Sequence, residues 1–229
     1  MLLVPYGSLI VSCQAEEWSP LRAPTHMAAM AQTAELGGAA GFRVEGAADV
    51  AAVRASTELP IIGIKKGERR KGQVYITAEF SDAEAVVRAG ASSVALDATD
   101  RPRPGGVSLR ELVARIHDEL GVPVLGDVDS LESGLFARSA GVDALATTLS
   151  GYTGGQARTD PDLDLVKELV ALDTCPVIAE GRFTTPDHVQ LAFDCGAHAV
   201  VVGKAITDPF TITRRFVEAS PTNVDRATG

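Results

Sequence analysis

Two apolar runs in this chain end in groups able to move a proton. Pro60-Ile-Ile-Gly-Ile-Lys-Lys66 closes on lysine, and Pro176-Val-Ile-Ala-Glu-Gly-Arg182 passes through a glutamate before its loop. In a parallel α/β barrel the strand ends are where catalytic groups stand. Lys66 and Glu180 on two such ends suit removal and return of a proton on carbon. Side chains alternate along a strand, so an inward Lys66 puts Ile64 and Ile62 inward below it, and an inward Glu180 puts Ile178 inward. Strands three and seven of an eight-stranded ring lie opposite each other, which lets the two groups reach a substrate from opposite faces. Lysine is a poor base at its ordinary pKa of about 10.4. Burial or a nearby cation such as Arg43 would bring it toward the working pH. Read alone, Lys66 is equally a solvated loop lysine. Glu180 interrupts an apolar strand and is costly there unless paired, with Arg182 or Lys66 as the structural alternative.

Other polar residues end strand-like runs: Gln14, Arg43, Asp97 and Asp127. Asp127 could orient a lysine or bind sugar hydroxyls. Thr147-Thr-Leu-Ser-Gly-Tyr152 offers hydroxyls from Thr148, Ser150 and Tyr152, with plain turn chemistry as the rival for each. The loops after strands seven and eight, the common phosphate site of such barrels, contain Gly181, Arg182, Gly203 and Lys204. The histidines, His26, His117, His188 and His198, show no ligand spacing, so no metal site is expected.

The elements that must position these groups recur in order. Eight apolar runs are legible: 8–14, 41–45, 60–66, 93–97, 123–128, 144–148, 176–180 and 199–203. They are nearly continuous in Val, Ile and Leu, as strands buried on both faces are. Helical stretches separate them, at 24–35, 47–56, 81–89, 108–120, 130–139, 161–172 and 185–195. Ser81 to Glu84 and Ser108 to Glu111 read as capping boxes. Gly37, Gly90, Gly121, Gly141 and Gly196 read as helix-ending glycines. Eight β-then-α units without a composition break predict a single (β/α)8 TIM barrel over residues 1–229, with a polar tail from about 220. The stretch from Gly67 to Thr77 reads as a long basic loop containing a short strand-like segment from Val74 to Thr77.

The 229 residues carry a net charge of −9, with 45% hydrophobic and 22% charged side chains. That balance speaks against nucleic acid as a partner, which calls for a basic footprint. Cys13, Cys175 and Cys195 match no zinc or disulfide pattern and read as free thiols of a cytoplasmic protein. The apolar start lacks a basic leader, and no run approaches transmembrane length, so no membrane partner is expected.

Taken in order, Leu9-Ile-Val-Ser-Cys-Gln14, Ile62-Gly-Ile-Lys-Lys66, Ala95-Leu-Asp-Ala-Thr99 with Arg101-Pro-Arg-Pro104, Thr147-Thr-Leu-Ser-Gly-Tyr-Thr153, Val177-Ile-Ala-Glu-Gly-Arg182 and His198-Ala-Val-Val-Val-Gly203 closely resemble the N-acetylmannosamine-6-phosphate 2-epimerase family, from about Leu9 to Phe216. The resemblance implies a TIM barrel that exchanges the C2 proton of an amino-sugar phosphate in sialic acid breakdown, without cofactor. It implies Lys66 as catalytic lysine and Glu180 as catalytic glutamate. Gln14, Arg43 and Asp127 fall on substrate-contacting positions. Gly181, Arg182, Gly203 and Lys204 fall on phosphate loops, with Lys204 standing where relatives usually carry a small residue. Another sugar-phosphate epimerase on the same barrel and a non-catalytic sugar-phosphate sensor stand as alternatives, and a homodimer is left open.

Overall fold

The computed structural model describes residues 4–68, 70, 72–153 and 159–221. Eight parallel strands close into a barrel in chain order: β1 (Ser8–Cys13), β2 (Gly41–Glu45), β3 (Ile61–Ile64), β4 (Ser93–Asp97), β5 (Val124–Asp127), β6 (Ala144–Ala146), β7 (Val177–Glu180) and β8 (Ala199–Val202). Between them run α1 (Pro24–Leu36), α2 (Ala47–Arg54), α3 (Phe80–Arg88), α4 (Leu109–Arg115, continued by a π-helical turn over Ile116–Leu120), α5 (Leu131–Ala140), α6 (Leu163–Ala171) and α7 (Pro186–Asp194). A short α8 (Lys204–Thr207) and then α9 (Pro209–Glu218) follow β8. The expected (β/α)8 barrel is the fold.

The continuous apolar runs are explained by two cores, one on each side of the strand wall. Ile10, Ile62, Ile64, Leu125, Ile178 and Val201 pack inside the barrel. Val11, Phe42, Ile61, Val94, Val177 and Val200 face outward against the helices. Within each strand the two sets alternate, so both faces need apolar side chains. This parity carries Lys66 and Glu180 onto the inner side, two residues past Ile64 and Ile178. Gly63 serves the outer layer: a Cβ there would stand 2.7 Å from Ala91 and 2.9 Å from Val86, so its absence lets α3 close on β3.

Several local expectations shift. The cap of α3 is Glu79, in a reciprocal box with Asp82, because the helix begins at Phe80, one residue before the serine that resembled a cap. Ser108 and Glu111 form their box as expected, and Ser130 with Ser133 forms another. After α1 the left-handed residue is Gly38 rather than Gly37. The segment from Val74 to Thr77 makes a single antiparallel bridge, Ile76 to Lys66, instead of a strand. β6 ends at Ala146, where Thr147–Leu149 turns into a 3-10 helix. Of the polar tail, residues 222–229 lie outside the described residues.

Candidate active site

Arg43 projects from the middle of β2 into the barrel. Its neighbours Phe42 and Val44 are claimed by the outer core, so alternation leaves Arg43 the inner side. It is 1% exposed and faces Asp127, at 0%, from the end of β5. The pairing is a two-pronged fork: Nη1 donates to Asp127 Oδ1 at 3.0 Å and Nη2 to Oδ2 at 2.6 Å. Nη1 also lies 3.0 Å from Glu180 Oε2. One cation therefore serves two carboxylates away from water. Burial works against the Arg43 charge, but Asp127 and Glu180 outweigh it and hold the guanidinium more firmly protonated than usual.

Glu180 is the carboxylate left short of charge. Burial raises its pKa and Asp127 adds to the rise, while Arg43, the Thr148 hydroxyl and Lys66 pull it down; the balance lies at about 7. Thr148 sits in the 3-10 turn after β6. Its hydroxyl lies 2.6 Å from Asp127 Oδ1 and 3.2 Å from Glu180 Oε2. A hydroxyl has one proton to donate. It is shared between the two carboxylates, and the part that reaches Glu180 favours the ionised form. Burial outweighs that bond and the two cations, so the carboxyl changes state near neutrality.

Lys66 lies beyond the end of β3, where Gly67 N donates to the Tyr75 carbonyl at 2.8 Å and Thr77 N to the Lys65 carbonyl at 2.7 Å. These bonds pin the backbone on both sides of the lysine. Its Nζ is 3.4 Å from Glu45 Oε2, with side chains 41% and 20% exposed. β3 is four strands from β7 around the ring, and the Lys66 charge is felt at Glu180. Gln14 donates from Nε2 to the Ser12 hydroxyl at 2.8 Å. Gln14, Glu45, Lys66, Gly203, Lys204 and Trp18 line a cleft of about 240 Å³ at this end of the barrel.

The remaining expected residues divide. Ser150 is buried, with its hydroxyl donating to Asp162 Oδ2 at 2.5 Å, and Asp162 caps α6; this hydroxyl is committed to the fold. Tyr152 is half exposed, with the Arg182 guanidinium 5.0 Å from its ring centroid. Arg182 donates through Nη1 to the Ser150 carbonyl at 2.7 Å and through Nε to the Asp160 carbonyl at 2.9 Å, so its guanidinium braces two loops. Gly181 has φ 108°, in the left-handed region open to glycine. Gly203 is the residue before α8, and Lys204 forms an exposed pair with Glu16 at 3.1 Å. Sequence reasoning missed Glu45 as the partner of Lys66. Its signal was available, since it stands two residues after Arg43 on the same strand and so on the same side.

Arg101 and Arg103 extend the pattern at the end of β4. Arg101 Nη2 lies 2.6 Å from the fully buried Asp97, and Arg103 donates to the Asp97 carbonyl. Burial and the charge of Arg101 lower the Arg103 pKa to about 10, against the pull of Asp97. Among the described residues no group of three or more His, Cys, Asp or Glu could hold a metal ion, and no helix is long and apolar enough to cross a membrane.

The sequence pattern of the family described as "Putative N-acetylmannosamine-6-phosphate epimerase" matches residues 27–222. A Cutibacterium acnes protein named "Putative N-acetylmannosamine-6-phosphate 2-epimerase" is 49% identical over 93% of this chain and 93% of its own length. A Clostridium perfringens protein of the same name is 42% identical over 95% of this chain and 99% of its own. The solved structure of the N-acetylmannosamine-6-phosphate 2-epimerase from Clostridium perfringens superposes with a TM-score of 0.90 at 40% identity, covering 95% of each chain. A thiamine phosphate pyrophosphorylase from Pyrococcus furiosus, 17% identical with a TM-score of 0.58 over 97% of each chain, shares the fold alone.

Proposed function

The chain belongs to the N-acetylmannosamine-6-phosphate epimerase family, and on that premise we propose that it interconverts N-acetylmannosamine 6-phosphate and N-acetylglucosamine 6-phosphate by exchanging the proton at C2. The observation that carries this reading is Glu180: a carboxyl on an inner strand end, titrating near 7, within the electrostatic reach of a lysine on the opposite strand. A general acid–base group works best with a pKa near the working pH.

The C2 proton is acidic enough to remove once the sugar ring opens and C1 becomes a carbonyl. The C–H electron pair then moves onto the C1–C2 bond and the carbonyl oxygen, giving an enolate. Ionised Glu180 takes the proton. Lys66, with its Nζ 3.4 Å from Glu45 Oε2, supplies a cation near the enolate and returns a proton to C2 on the other face. Neutral lysine and protonated glutamate then re-equilibrate with solvent. In the reverse direction their duties exchange. The sequence left open which of the two is the base in each direction; the pKa of Glu180 favours it as the group that takes the proton. Arg43 and Asp127 fix Glu180, and Gln14 faces the substrate cleft.

The phosphate is assigned to backbone amides at Gly181 and Gly203. Lys204 can leave Glu16 at small cost to assist, since exposed ion pairs contribute about 0–1 kcal/mol. Arg182 holds the loop that presents Gly181.

Turnover of N-acetylmannosamine 6-phosphate in deuterated water tests the reaction. Product carrying solvent deuterium at C2 is expected. Binding without exchange would indicate the sugar-phosphate sensor instead, and epimerised product without deuterium would remove the proton-transfer mechanism.

A further inference from the structure

The inner cluster is one cation short. Arg43 serves both carboxylates, with Nη2 2.6 Å from Asp127 and Nη1 3.0 Å from Glu180. When both are ionised, one positive charge answers two negative ones in a nearly dry place. The other groups that face Glu180 are the Thr148 hydroxyl, from the turn after β6, and the charge of Lys66, from beyond β3. Lys66 is thus the cation that would complete the cluster. Attraction between charges strengthens away from water, which favours a direct pair between Lys66 and Glu180.

The ammonium goes to the rim instead. Nζ stands 3.4 Å from Glu45 Oε2, and the Lys66 side chain is 41% exposed. The backbone does not force that choice. It is fixed by the bridge from Lys66 to Ile76 and by Lys65 N, which donates to the Thr77 hydroxyl at 3.1 Å. A lysine stem is flexible, so a fixed Cα leaves Nζ able to turn toward either carboxylate.

Glu45 is placed to decide it. The register of β2 on β3 sets Glu45 beside Ile64, two residues before Lys66 and on the same inner side. Other cations near the cleft are already engaged. Arg22 lies 2.8 Å from Asp49, a carboxylate 3% exposed whose proton affinity is raised in part by the Glu45 charge. Lys204 lies 3.1 Å from Glu16. Both leave Glu45 to Lys66.

We propose that Glu45 is a positioning residue that holds Lys66 off Glu180 in the free protein, keeping open between the two proton-transfer groups the space that C2 of the substrate enters. This rests on the epimerase reading, in which one group works on each face of C2. A direct pair of Lys66 with Glu180 would set acid and base against each other and fill that space. The rim pair is exposed and therefore weak, so Nζ can leave Glu45 for the substrate once the sugar stands between it and Glu180. Glu45 and Lys66 line the same cleft, which puts this exchange of partners where the substrate arrives.

The test follows the Glu180 titration by NMR in protein labelled with carbon-13 at its glutamate carboxyls, the Glu180 signal being the one that Glu180→Gln removes. Glu45→Gln should free Nζ to pair with Glu180. A cation brought within about 4–6 Å favours the ionised carboxylate, so the midpoint should fall by about 1–3 pH units. In a Lys66→Met background the same Glu45→Gln change should move it far less, since only the distant loss of one rim charge remains. Glu45→Gln alone should also lower kcat for C2 exchange by about 10–100-fold, as misplacement of a reacting group does. An unmoved midpoint, an equal movement with and without Lys66, or a lowered midpoint with kcat unchanged would each overturn the proposal. The midpoints are read without substrate, so they judge the role of Glu45 separately from the epimerase reading, which fails if the wild-type chain does not exchange the C2 proton.

Discussion

Two sets of ion pairs at the same end of the barrel behave oppositely. The inner set, Arg43 with Asp127 and Glu180, is nearly dry: the cation is 1% exposed and the carboxylates 0% and 13%. The rim set, Lys66 with Glu45 and Lys204 with Glu16, has both lysines more than 40% exposed. In the inner set each charge is fixed by the others, so removing one leaves an uncompensated buried charge. On the rim, water replaces a lost partner. The inner set can thus tune a proton affinity, and the rim set can let go of its partners and meet a substrate.

The sharpest way to break this contrast is to substitute the two groups proposed to transfer the proton. Glu180→Gln and Lys66→Met should each lower the C2 exchange rate by about 10²–10⁴-fold, measured by deuterium incorporation, with the fold retained. Exchange by Lys66→Met near the wild-type rate would leave Glu180 to act alone or with the substrate.

Arg43→Met should destabilise the fold by about 3–5 kcal/mol in urea unfolding, since it strands two carboxylates in a dry site. Glu45→Gln, by contrast, should change stability by less than about 1 kcal/mol, and less still at high salt. Equal losses for the two would erase the distinction between the sets.

The inner set also predicts a pH dependence. Glu180 has its pKa raised from 4.5 to about 7, so the folded protein keeps a proton that the unfolded chain has released. Stability from this group is fully present below 4.5 and is lost as pH rises through about 7, by an amount on the order of 3 kcal/mol. Glu180→Gln should flatten that decline in thermal scans between pH 5 and pH 8. Thr148→Val removes a hydrogen bond that favours the ionised carboxylate, so the acid limb of the rate profile should move to higher pH. A limb unmoved by Thr148→Val would detach it from Glu180.

The smallest effect belongs to the rim. Lys204→Ala should weaken substrate binding by about 1 kcal/mol, roughly fivefold in KM, with kcat unchanged. No change in KM would leave Lys204 a solvated partner of Glu16.

Much of this was written in the order of residues. Apolar runs at near-regular spacing fix eight strands, because a strand buried on both faces needs apolar side chains at every position. The polar residues that end those runs fall on one end of the barrel for the same reason. The places where the reading slipped were set by geometry no pattern carries. Phe80 begins α3 before the serine that looked like its cap, and the Ser150 hydroxyl, in a motif that promised substrate contacts, is held by Asp162 across a loop.

What the sequence determined by itself, then, is local or periodic: strand number, the side each residue takes, and which ends carry charge. What the tertiary structure decided is which charges meet. Arg43 and Asp127 are 84 residues apart in the chain, and Thr148 and Glu180 are 32 apart. Only closure of the barrel places them within hydrogen-bonding distance. Proton affinity depends on burial and on the separation of charges, and neither quantity exists until the ring is closed.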